Sequence, residues 1–125
     1  MEQQGWIKLY RKITNWEWYS DINVRILFIH LLLSVNHKEN KWRGKTIKKG
    51  QRITSVKHLS EETGLSVHQV RTALDKLDST NDITIKTTNK NTIITVANWE
   101  FYQSNDDEMA NKMTNKRQSN GNKQE

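Results

Sequence analysis

TSVKHLSEETGLSVHQVRTALDKL, residues 54–77, is the stretch whose reading decides the fold. It divides into two short helices around Gly64. Ser55 stands where an N-cap is wanted, and Val56 and Leu59 follow three apart on one face. Gly64 comes after Thr63, where a helix commonly ends in a left-handed residue that glycine adopts at little cost. Ser66 then caps a second helix in which Val70, Ala73, Leu74 and Leu77 recur at steps of three and four. Helix, glycine turn and helix at these lengths form the helix-turn-helix pattern. Its DNA-binding version lays the N-terminal residues of the second helix toward base edges in the major groove. A purely structural helix pair has the same pattern, so the flanking sequence has to decide.

Downstream, Ile83 and Ile85 alternate with Thr84 and Lys86, and residues 92–96 are rich in β-branched side chains. The polar TTNKN at residues 87–91 between them suits a turn. Two strands so joined predict a β-hairpin, which beside the helix pair forms a wing. Upstream, residues 51–53 predict a short strand that feeds the first helix and supplies a third strand. The expected fold class is α+β: a winged helix-turn-helix with a three-helix core and a β-hairpin wing.

The third helix is expected at residues 22–35, capped by Ser20 or Asp21. Its apolar residues wrap more than one face, which predicts the buried centre of the domain. His30 within it reads as a satisfied histidine rather than a ligand or base, because no carboxylate or Cys partner is near it in sequence. Residues 5–18, GWIKLYRKITNWEW, suit a short strand followed by a helical turn, with aromatics that pack a small core or else offer a stacking or docking surface. Residues 36–50 are polar, basic and punctuated by Gly44 and Gly50, and read as a loop with a short extended piece. Trp42 there either stacks on a base or covers the core edge, and the core edge is preferred. Trp99, Phe101 and Tyr102 are expected to fold back and close the core.

Residues 1–103 form one domain on this reading, and 104–125 a flexible polar tail with too little apolar area to offset the entropy of ordering. A net charge of +6 and a pI near 9.6 favour an anionic partner. The excess is concentrated: residues 38–57 hold eight Lys or Arg against Glu39 alone. Cysteine is absent, which excludes disulfides and Cys-based zinc sites. The longest apolar run is far too short to span a bilayer, and no signal-peptide pattern opens the chain, so a cytoplasmic protein with no membrane association is expected. Phosphate-cradling loops, HExxH and metal-ligand spacings of His are likewise missing, so neither an enzyme nor a cofactor is expected.

If the helix pair binds double-stranded DNA, the face opposite Val70 and Leu77 carries His68, Gln69, Arg71, Thr72 and Lys76. Gln69 suits adenine and Arg71 guanine, each through two bonds. Ser66, Thr72 and Lys76 suit phosphates. In the wing, Lys86, Thr88, Asn89 and Lys90 are placed for the minor groove or backbone, and Lys48, Lys49, Arg52 and Lys57 add phosphate contacts by charge and proximity. For any one lysine alone, a solvated surface group is the plainer reading; the clustering favours contact.

Several blocks together carry a family resemblance. GWIKLYRKI at residues 5–13, WEW at 16–18 and LFIHLLLSVN at 27–36 precede GQRITS at 50–55 and TGLSVHQVRTAL at 63–74. ITIKTTNKNTIITVANWEFYQ at 83–103 completes the set and is its most specific member. These resemble the N-terminal domain of phage replisome-organiser proteins, related to the DnaD-type primosomal proteins of Gram-positive bacteria. The resemblance covers about four fifths of the chain. It implies a winged helix that binds DNA at a phage or mobile-element replication origin and helps recruit host helicase-loading proteins. It also implies self-association into a dimer or higher oligomer. Fuller members continue into a second helical domain, whereas this chain ends in the linker-like NDDEMANKMTNKRQSNGNKQE. Two other functions fit the same residues: a transcriptional regulator using the same winged helix, and an interaction module without direct DNA reading.

Overall fold

The computed structural model describes residues 5–89 and 91–103. Lys90 and the tail expected at 104–125 lie outside the described residues. Among the described residues the fold is α+β, with three α-helices and two small antiparallel sheets.

α1 (Ile22–Ser34) starts at Asp21, whose Oδ1 accepts the Val24 N–H at 3.2 Å. It buries Val24, Leu27, Phe28, Leu31 and Leu32 against the other two helices. The opposite side corrects the expectation of a helix buried on several faces. Ile22 is 60% and Leu33 59% exposed, and Ile26 is exposed between them. Spacings of four and seven put these three on one strip.

α2 (Val56–Thr63) and α3 (Val67–Ser79) form as the caps foretell. Ser55 Oγ accepts the His58 N–H, and left-handed Gly64 (φ 84°) closes α2 with its N–H on the Ser60 carbonyl at 3.0 Å. Leu59 and Leu65 on this pair, with Val70, Ala73, Leu74 and Leu77 of α3, complete the core with α1.

The sheet behind the helices consists of β3 (Gln51–Thr54), β4 (Ile83–Thr87) and β5 (Thr92–Val96), in the order β3-β5-β4. Both pairings are antiparallel, with Ile94 opposite Arg52 on one side and Ile85 on the other. The expected third strand is therefore present. Ile83, Ile94 and Val96 point from this sheet into the core.

Residues 36–50 depart from the expected loop. β1 (Asn40–Trp42) and β2 (Lys45–Ile47) pair as a separate antiparallel hairpin. Its turn is Arg43-Gly44, both at positive φ (51° and 80°), the two-residue geometry that matches strand twist. The chain returns through Gly50, whose left-handed backbone (φ +79°) lies against Trp99: a Cβ there would meet the Trp99 Cβ at 3.0 Å.

The N-terminal segment forms one bridge, Ile7 to Gln103, then a 3-10 turn at Arg11–Asn15. Trp16 and Trp18 pack at the core edge. Trp16 lies 4.8 Å from the Phe28 ring centroid, and Trp18 Nε1 donates to Thr80 Oγ1 at 2.9 Å. Trp99 is buried and Tyr102 meets Phe28 edge-on, closing the core as expected, whereas Phe101 is half-buried and outside the core cluster. Burial, with Asp82 nearby, raises the Tyr102 pKa. Among the described residues no helix is long and apolar enough to cross a membrane.

Candidate nucleic-acid interface

α3 turns about 100° per residue, so the strip opposite its buried side is His68, Thr72, Asp75 and Ser79, all exposed. Arg71 occupies one shoulder of that strip. Gln69 and Lys76 occupy the other, where with Asp21 and Asn23 they line a groove of about 170 Å³ against the start of α1.

Several residues expected to meet DNA already have protein partners. Ser66 Oγ accepts the Gln69 N–H at 3.0 Å, and Gln69 Oε1 accepts the Ser66 N–H at 2.9 Å. This reciprocal capping box occupies the oxygen with which Gln69 would accept from adenine. Gln69 is first a capping residue. Lys76 is a clearer correction: its Nζ donates to Asp21 Oδ2 at 2.7 Å and lies 5.7 Å from the Trp18 ring centroid. The same Asp21 caps α1, so one carboxylate ties the end of α3 to the start of α1. Lys76 above all holds the Asp21 carboxyl below its ordinary pKa.

Arg52 is likewise not free for phosphate. It makes a two-pronged pair with Glu62, Nη1 to Oε1 at 2.8 Å and Nη2 to Oε2 at 2.7 Å, and Nη1 also donates to Ser34 Oγ at 3.0 Å. His30 Nε2 reaches the same Glu62 Oε1 at 2.8 Å. The partner that His30 lacks nearby in sequence thus arrives from α2. Arg52 foremost, with His30 assisting against desolvation, lowers the Glu62 pKa to about 2. The cluster joins α1, α2 and β3.

Other expected contacts remain exposed. His68, Arg71, Thr72, Lys48, Lys57 and Lys86 face solvent, and none of these side chains forms an ion pair among the described residues. Lys49 and Asn89 are also exposed. Thr88 is exposed but shapes the β4–β5 turn, its N–H donating to the Asn91 carbonyl at 2.8 Å. Lys90 lies outside the described residues.

The charge is distributed unexpectedly. α3 carries Arg71 and Lys76 against Asp75 and Asp78 and sums to zero. Residues 40–47 hold Lys41, Arg43 and Lys45 with no acid, all exposed on the β1–β2 hairpin. Sequence reasoning counted these cations but missed the element that presents them. The available signal was the Arg-Gly pair between short extended runs, weaker than Asn-Gly because Arg rarely adopts positive φ. Trp42 corrects the core-edge preference: it is 38% exposed, lies outside the core cluster, and carries the Arg43 guanidinium 4.8 Å from its ring centroid.

Comparison with protein-family models, curated proteins and solved structures yields no match.

Proposed function

We propose that the chain is a winged-helix protein that binds double-stranded DNA and serves replication initiation in a phage or mobile element. The observation that carries the reading is the succession β3-α2-α3-β4-β5 with the sheet order β3-β5-β4, which sets an exposed helix beside an exposed hairpin on a chain of net charge +6. Arg71 and His68 are the base-reading side chains, with Thr72 beside them. Lys57, Lys86, Lys48 and Lys49 hold the backbone, joined by Lys41, Arg43 and Lys45 of the β1–β2 hairpin. The role at an origin, the cytoplasmic setting and the recruitment of helicase-loading proteins rest on the resemblance to replisome organisers. Regulation of transcription would use the same surface. Footprinting at an origin against a promoter separates the two.

An interaction module is a second reading, favoured by one observation: the exposed strip Ile22, Ile26 and Leu33 on α1. A second copy laid along that strip would bury it and make a symmetric dimer that presents two reading helices. Titration of duplex DNA with the full chain at increasing salt tests the main reading. The seven backbone cations named above predict a loss of affinity of roughly a thousandfold or more between about 50 and about 200 mM salt. Salt-independent binding, or none, would leave the interaction module.

A further inference from the structure

A second surface is shaped for a ligand smaller than a duplex. Between the end of α1, the β1–β2 hairpin, β3, the start of α2 and the β4–β5 turn lies an open cleft of about 540 Å³, a volume in the range of small-molecule sites. Most of its lining residues are polar: Asn36, Asn40 and Asn91 bring three side-chain amides, and His58 brings an imidazole. Trp42 adds an aromatic ring. Thr54 also lines the cleft; it is only 6% exposed, and its hydroxyl lacks a hydrogen-bond partner among the described residues. Buried hydroxyls are normally paired, so this one marks a polar site without its complement. Exposed Lys41, Arg43, Lys45 and Lys57 are on the elements that frame the cleft.

We propose that this cleft receives one nucleotide, its base stacked on Trp42 and its edge read by the asparagine amides. The surrounding cations take its phosphate. Stacking needs a flat ring, an amide is both donor and acceptor, and lysines neutralise the anion, so each part of a nucleotide has a counterpart here. A base within a duplex is already stacked on its neighbours, so the occupant is an unstacked one. It comes either from a single strand of DNA or from a free nucleotide. This inference rests on the nucleic-acid reading above but uses a surface separate from α3.

The test uses the full chain with three probes: a single-stranded oligonucleotide of about ten nucleotides, the duplex of the same sequence, and free deoxynucleoside monophosphates. Trp42→Ala is expected to weaken single-strand binding on the order of tenfold, as loss of one base–aromatic stack does, while Trp42→Phe retains most of it. Duplex affinity should stay within about twofold in both variants, because a paired base offers no free face. Shifts of the Trp42 indole and asparagine amide NMR signals with monophosphates would assign the site to free nucleotides. The same shifts with the oligonucleotide alone would assign it to a strand. The proposal is overturned if neither probe moves those signals. It also fails if Trp42→Ala binds the single strand like wild type, or if Trp42→Ala and Trp42→Phe lose both strand forms in parallel. Absent duplex binding with single-strand binding intact would instead remove the duplex reading and leave this one standing.

Discussion

On the proposed DNA-binding reading, α3 and the β1–β2 hairpin would divide the work of the surface unequally. α3 is anchored by four buried residues, and much of its polar side is committed: Gln69 to its own cap, Lys76 to Asp21. It is net neutral. The hairpin contributes only Ile47 to the buried set, yet Lys41, Arg43 and Lys45 on it are exposed and unopposed by any acid of the hairpin. A rigid neutral helix suits discrimination, since an Arg placed firmly rejects a wrong base edge. A charged hairpin suits affinity that is indifferent to sequence.

The contrast breaks most visibly in stability. Leu77 is fully buried in α3, so Leu77→Ala should destabilise the fold by about 2–5 kcal/mol. Trp42→Ala on the hairpin should move the thermal midpoint far less. Equal shifts would mean that the hairpin is part of the cooperative core. Affinity gives the next effect. Arg71→Ala should lose about 1–3 kcal/mol on a preferred duplex while leaving melting unchanged.

Glu62→Gln should cost about 1 kcal/mol at neutral pH, kept small by the pair's partial exposure. Because the folded pKa of Glu62 is depressed to about 2 from 4.5, its contribution is complete above about 4.5 and fades as pH falls toward 2. Urea midpoints of wild type and Glu62→Gln should therefore converge over that window. A gap that persists at pH near 2 would contradict the assignment. Smallest is Gln69→Ala: loss of the capping box should lower stability by about 0.5–1 kcal/mol. If it instead abolished duplex binding without altering melting, Gln69 would be a base reader after all.

What the sequence made legible was local. Ser55, Gly64 and Ser66 bound their helices because caps act within a turn, and Ile83 and Ile85 lie on the core side of the sheet that alternation foretold. The charge partners were not legible. Lys76 and Asp21 stand 55 residues apart and His30 and Glu62 stand 32 apart, separations at which no periodicity carries information. The result was an overcount of free cations: Arg52 and Lys76 have the right charge in the right segments, but each is turned inward to a carboxylate. The β1–β2 hairpin was hidden for another reason. Its strands have three residues each and little apolar alternation, and its turn puts Arg43 where Asn is the usual choice.

On the proposed reading, the β1–β2 hairpin supplies a large part of the charge that holds a duplex, and α3 supplies the discrimination. The most direct measurement is the dependence of duplex affinity on salt for wild type, the triple variant Lys41→Ala/Arg43→Ala/Lys45→Ala, and Arg71→Ala. Three lost phosphate contacts should flatten the log–log slope by roughly 2.7, against a change of about 1 or less for Arg71→Ala, which should instead relax sequence preference. A slope unchanged in the triple variant would contradict the account.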